Sequence, residues 1–164
     1  MEFSHARRND LPELVELFCA ATRKMDEQNI SQWDEIYPSQ QIIARDIELD
    51  ILVIGRMDGR IAAAFSPEEC GESDYEPANW RYPAERIIVL HRLCVHPAFQ
   101  GKGVARQSMD YLEQCVRERG IPVIRLDAFS QNPVALRLYE SRGYQKAGEV
   151  LYRKGLFYLY EKQL

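Results

Sequence analysis

Residues 86–119, RIIVLHRLCVHPAFQGKGVARQSMDYLEQCVRER, constrain the fold more than any other stretch of the chain. The segment 86–95 reads as a strand that is apolar on both faces over its first half, as the middle of a covered sheet requires. Residues 103–119 then read as a helix. Val104, Ser108, Leu112, Cys115 and Val116 line one stripe, and Gly120 ends it. The join between them, HPAFQGKGVARQ (residues 96–107), places Gly101 and Gly103 around Lys102. A buried strand feeding a helix through a tight turn belongs to a layered α/β structure.

The other segments agree with that architecture. Residues 2–7 read as a first strand. NDLPELVELFCAATRKM (9–25) reads as a helix with Asp10 as its N-cap and Glu13 three residues on; Leu11, Leu14, Val15, Phe18 and Met25 recur at helical spacing. A second helix follows YPSQ, with Ile43 and Ile47 one turn apart. In ILVIGRMDGRIAAAF, Asp58-Gly59 between two apolar runs suits a tight hairpin turn. Residues 66–85, SPEECGESDYEPANWRYPAE, read as a long loop, a feature often tied to function. Strand 121–129, a helix opened by Pro133 and closed before Gly143, and two closing strands complete the order β-α-α-β-β-β-α-β-α-β-β. The length of 164 residues suits one domain with a proper core, residues 1–164 as a whole.

Composition excludes several functions. A formal charge of −4 and the absence of any Lys/Arg cluster argue against nucleic acid or an anionic membrane as partner. Cys19, Cys70, Cys94 and Cys115 lie far apart, with no CxxC pair, which fits reduced thiols in a cytoplasmic protein. His5 and His96 have no companions at ligand spacing, so no metal site is expected. The opening residues lack the apolar run of a signal peptide, and no segment approaches the roughly 20 apolar residues that span a bilayer. A soluble protein is expected.

The glycine turn carries the clearest chemistry. The first amides of a helix have no internal partner and sit in positive potential, and glycine lets an anion approach without a Cβ in the way. Gly101, Gly103 and the small Ala105 therefore suit a cradle for a pyrophosphate, with Lys102 and Arg106 adding charge. The nucleoside-triphosphate loop does not fit, because Lys102 is followed by Gly103 and not by a hydroxyl residue. Nor does the dinucleotide fingerprint, which would need glycine where Arg106 stands. A turn without any ligand is the other reading of these residues.

Taken together, these motifs resemble the GNAT superfamily, the acyl-CoA-dependent N-acyltransferases. Gln100, Gly103 and Ala105 match the family's Gln/Arg-x-x-Gly-x-Gly/Ala motif after a central strand. LDAFSQNPVALRLYESRGY (126–144) matches its later strand and helix independently. The likeness is strong from about Arg86 to Gly148 and extends to QWDEIYPS at 32–39. It implies an α/β (α+β) fold with a mixed, mostly antiparallel central sheet of about six or seven strands and about four helices. The fourth and fifth strands splay to admit the pantetheine arm of acetyl-CoA. It also implies direct transfer of an acetyl group, in a ternary complex, to the amine of a small molecule or peptide. Dimers are frequent in the family, so a homodimer is among the assemblies implied.

By the same resemblance, residues Gln100, Gly101, Lys102, Gly103, Val104, Ala105 and Arg106 hold the pyrophosphate. Leu93, Cys94 and Val95 bond the pantetheine amides like an added strand. An amide near Cys94, where the family's strand carries a bulge, meets the oxyanion; Cys94 itself is a buried small residue. Asn132, Ala135 and Tyr139 share one helix face by their spacing, and the resemblance turns that face to the coenzyme, with Tyr139 as general acid. Asn132 also suits an N-cap, and Tyr139 also suits a core aromatic. Many members carry a base glutamate where this chain has Val89. His91 on the same strand face, Glu85 just before the strand, and a water chain remain open as the base. Lys102, Arg106 and Arg142 suit either contacts to the coenzyme's phosphates or solvated surface charge. The acidic residues Glu68, Glu69, Glu72, Asp74 and Glu76 suit either an amine-attracting entrance or a solvated loop, and Trp33, Tyr37, Trp80 and Tyr82 either line that entrance or pack beneath it. A catalytically silent acyl-CoA-binding module is the alternative to an enzyme, and a nucleotide-binding module the third reading.

Overall fold

Two adjacent residues with positive φ, Asp58 at 53° and Gly59 at 77°, close the clearest hairpin of the chain and set its register. They join β2 (Val53–Met57) to β3 (Arg60–Cys70) in a computed structural model that describes residues 1–164. The remaining elements are β1 (Glu2–His5), α1 (Leu11–Glu27), α2 (Gln40–Glu48), β4 (Ile87–Val95), α3 (Val104–Glu118), β5 (Val123–Phe129), α4 (Pro133–Ser141), β6 (Gln145–Tyr152) and β7 (Gly155–Gln163). The seven strands make one mixed sheet in the order β1-β2-β3-β4-β5-β7-β6, and with the four helices they give the α/β architecture expected from the sequence. β4 and β5 pair in parallel, from Ile88 opposite Ile124 to Leu90 opposite Leu126. The β1–β2, β2–β3, β5–β7 and β6–β7 pairs are antiparallel.

The chain forms two compact units, the first comprising Met1–Pro67 with Arg92–Tyr111 and the second Glu68–His91 with Leu112–Leu164. In the first, α1 buries Leu14, Leu17, Phe18 and Ala21, the i, i+3, i+4, i+7 positions of one helical stripe. They pack with Ile43 of α2, Ile54 and Ile61 of the hairpin, and Cys94. Trp33 is part of this core, its ring 5.6 Å from that of Phe18. Asp10 stands at the N-cap position of α1, as the sequence suggests, but its side chain makes no capping bond to that helix. It lies in a short 3₁₀ turn, accepts from the Arg7 amide at 2.8 Å, and pairs with Arg56 at 2.6 Å. Glu13 likewise reaches outward, taking the Ile61 amide at 2.7 Å and Arg56 at 3.2 Å. Both carboxylates are engaged by Arg56 of β2.

In the second unit β5 lies against β7, with Arg125 opposite Glu161. The long acidic segment begins later than the sequence suggests, because β3 continues through Ser66, Pro67 and the two glutamates to Cys70. Residues 71–86 follow, and Tyr75, Tyr82 and Ala84 pack with Cys70 against Ile87, Val89 and Val123. Asn132 caps α4 by accepting from the Ala135 amide at 3.1 Å, with Pro133 at the first helical position.

Candidate functional site

In the first unit the strand-to-helix turn carries two left-handed glycines. Gly101 and Gly103 have φ of 74° and 77°, a region that costs a residue bearing a Cβ about 1–2 kcal/mol. A Cβ added at either would meet nothing within 4 Å, so backbone conformation and not crowding selects glycine, and the space over the turn is open. Gly103 accepts from the Gln107 amide at 3.0 Å, which starts the α3 ladder. The amides of Val104, Ala105 and Arg106 precede that ladder, and a glycine in the capping position offers them no side-chain oxygen. Lys102 and Arg106 are exposed beside them, neither forming an ion pair. Lys102 Nζ lies 5.4 Å from the ring centre of Phe99, and Arg60 Cζ lies 5.6 Å from the same ring. Three cations thus gather at one turn of a chain whose net charge is −4. The Gln100 side chain donates to the Val95 carbonyl at 3.2 Å and ties the turn to its strand.

The strand residues before it show a second irregularity. Arg92, within β4, has φ of 56°, left-handed backbone in a residue with a long side chain. Its guanidinium is nearly buried and pairs with Asp46 of α2, which is itself only 4% exposed. Arg92 also donates to the Tyr37 hydroxyl at 3.0 Å, and Ser66 donates to Asp46 at 2.6 Å. Burial works against the Arg92 charge, but Tyr37 and Asp46 outweigh it and raise its pKa. Leu93 and Val95 are half-buried and Cys94 is buried, where the loss of solvent pushes the thiol well above its ordinary range. That thiol stays protonated and is a poor nucleophile.

The second unit holds the remaining candidates. Tyr139 is 7% exposed on α4, edge-on to Tyr144 at 5.8 Å and tilted against Tyr160 at 6.4 Å. Burial, then the nearby Asp127 carboxylate, raises its pKa, so the phenol keeps its proton throughout the physiological range. Asn132 and Ala135 share one end of this helix through the cap. His91 is half-buried with Nε2 3.3 Å from a Glu68 oxygen. Glu85 is exposed on the rim of a shallow depression lined also by Gly71, Glu72, Ser73, Pro83 and Ala84. Val89 is buried and apolar, so the strand offers no carboxylate at that position. Arg142 is engaged with Glu113 at 3.1 Å.

The acids of residues 68–76 hold internal partners. Glu69 pairs with Arg86 at 2.6 Å and with Arg119, and the Arg86 hydrogen bond lowers its pKa. Glu72 meets the wholly buried Arg125 at 2.5 Å, Glu76 accepts from Tyr152 at 3.0 Å, and Asp74 accepts from the Gly71 amide at 3.1 Å. Trp80 covers the Arg125 guanidinium at 4.2 Å, and the Arg81 and Tyr82 amides donate to the buried Glu161 at 2.6 and 3.4 Å. Of the two readings of this segment, packing describes Trp80 and Tyr82, and the acids anchor the loop. No group of three or more His, Cys, Asp or Glu side chains converges as metal ligands.

Comparison with known proteins follows the same lines. The family model described as Acetyltransferase (GNAT) family matches residues 11–144. A protein of Bacillus subtilis named uncharacterized N-acetyltransferase YycN is 35% identical over 60 residues, which is 37% of this chain and 38% of that protein's length. The crystal structure of a GNAT-family acetyltransferase from Streptococcus agalactiae superposes with a TM-score of 0.86 at 22% identity, covering 99% of this chain and 95% of that one. The PaiA N-acetyltransferase of Thermoplasma acidophilum, solved in complex with coenzyme A, superposes with a TM-score of 0.74 at 17% identity, covering 99% and 98%.

Proposed function

Since this chain belongs to the GNAT acetyltransferase family, we propose that it works as one domain, residues 1–164, that transfers an acetyl group from acetyl-CoA to a primary amine by direct attack in a ternary complex. One observation carries the reading. The amides of Val104, Ala105 and Arg106, behind a left-handed Gly103 and beside the unpaired Lys102, form an anion cradle that nothing in the chain fills. Acetyl-CoA, when bound, supplies the activated acetyl group as a thioester. Gln100 through Arg106 hold its pyrophosphate, and the backbone of Leu93, Cys94 and Val95 bonds its pantetheine amides as an added strand would. Asn132 and Ala135 contact the pantetheine from α4.

Tyr139 serves the general-acid role by donating a hydrogen bond to the leaving sulfur. A thiol's ordinary pKa of about 8.5 lies below that of a phenol, so Tyr139 holds its hydrogen toward the departing sulfur and stabilises the charge forming there. The amide of Cys94 receives the oxyanion. An incoming ammonium must lose a proton before it attacks, and His91, paired with Glu68, takes it through water; Glu85 is the second candidate for that role. The acceptor is a small-molecule or peptide amine, and the enzyme acts in the cytoplasm, alone or as a homodimer.

Val89 in place of a base favours a second reading, a silent acyl-CoA-binding module. Thiol release from acetyl-CoA over a panel of amines separates the two. Turnover with any amine supports the enzyme, and CoA binding without turnover across amino acids, polyamines and peptide N-termini supports the module.

A further inference from the structure

Left-handed backbone in a non-glycine strand residue persists only where the surroundings impose it, and such residues gather where a strand must re-aim its groups. Arg92 is such a residue, and it immediately precedes Leu93, Cys94 and Val95. Its side chain is held by Asp46 of α2 and by the Tyr37 hydroxyl, and Asp46 is held in turn by Ser66 of β3. Asp46 and Ser66 are both buried, so the assembly is a fixed anchor and not a surface pair. We infer that Asp46 and Arg92 are a positioning pair whose task is to hold the backbone at residue 92 left-handed, so that the amides and carbonyls of residues 93–95 face the pantetheine arm. This rests on the coenzyme reading given above. Neither side chain touches the coenzyme; both act through the strand.

The inference separates side chain from backbone. In the double variant Asp46→Asn/Arg92→Ala the ion pair is gone and alanine relaxes out of the left-handed region. In Asp46→Asn/Arg92→Gly the pair is equally gone, but glycine occupies that region at no steric cost. Titration calorimetry with CoA is expected to show the alanine version binding about tenfold more weakly than the unsubstituted protein, and the glycine version within about threefold of it. Adenosine 3′,5′-diphosphate carrying the second 5′-phosphate but no pantetheine should bind all three proteins alike, which general damage to the fold would not allow. Equal CoA affinities for the two double variants, or equal losses with both ligands, would overturn the inference and leave the coenzyme reading standing. Failure of the unsubstituted protein to bind CoA would overturn both. Should a double variant not fold, Asp46→Asn alone carries the test, with CoA binding weakened about threefold to fivefold and binding of the truncated nucleotide unchanged. CoA affinity unaltered by that substitution contradicts the inference.

Discussion

Two segments that each carry several charges and little regular structure, the turn at residues 96–106 and the loop at 71–86, use charge in opposite ways. In the loop, Glu72 meets Arg125, Glu76 meets Tyr152, Arg86 meets Glu69, and the Arg81 and Tyr82 amides meet Glu161. In the turn, Lys102 and Arg106 meet no carboxylate, the first amides of α3 have no cap, and the two left-handed glycines leave open space above them. A charge whose partner lies in the same chain fixes structure. A charge with no partner in the chain is left available to a ligand, which is the role proposed above for Lys102 and Arg106.

Chemistry should be separable from both regions, and the largest effect tests that. Tyr139→Phe keeps the ring packing of α4 and removes only the hydroxyl, so turnover should fall about 10²-fold while CoA affinity stays within about threefold. Steady-state kinetics beside calorimetry reads the two quantities, and a lost affinity with intact turnover would move Tyr139 to the binding side. Next in size, Gly103→Val forces a β-branched residue to φ near 77° and should weaken CoA about tenfold or more. A variant that binds CoA normally would break the comparison at its open end.

The loop should answer in stability and not in binding. Glu161→Gln removes the charge that accepts from the Arg81 and Tyr82 amides in a fully buried position, and the expected loss is about 1–3 kcal/mol, a fall in Tm of about 5 °C. CoA affinity should not move, and a change in affinity with an unchanged Tm would reverse the roles assigned to the two segments. Alkali sharpens the same point. Burial, then Asp127, raises the Tyr75 pKa in the folded protein, so its contribution to stability is complete below the ordinary tyrosine value of about 10 and is lost as pH rises above it. Tyr75→Phe should flatten the decline in Tm above about pH 10; an identical decline in the variant removes Tyr75 as its source. The smallest effect belongs to Lys102→Ala and Arg106→Ala, each weakening CoA about twofold to fivefold at low salt and less at high salt, because exposed charges are screened.

Local signals made much of this legible. Asp58-Gly59, the Asn132-Pro133 start of α4, and the glycines at 101 and 103 are turn and cap chemistry written within a few residues, and each appears where the sequence places it. The extension of β3 to Cys70 was hidden because Pro67 and two glutamates read as loop, although β2 pairs with β3 only as far as Phe65, and a proline and charged residues are tolerated where a strand lacks a neighbour on one side. The Asp10–Arg56 and Asp46–Arg92 pairs were out of reach for a different reason. Each joins residues 46 positions apart, and no periodicity marks which cation a given carboxylate will meet. Arg92 is the plainest case, since neither glycine nor asparagine advertises its left-handed backbone. The glycine turn was therefore readable, and the strand anchor beside it was not.

The central claim is that the open turn holds the phosphates of an acyl-carrying coenzyme. Calorimetric titration of the unsubstituted protein with CoA and, separately, with ATP tests it most directly. CoA should bind saturably and at least about tenfold tighter than ATP, because only CoA would bring the pantetheine arm to residues 93–95 as well as phosphates to the turn. No measurable binding of CoA, or an affinity for ATP equal to that for CoA, would contradict it.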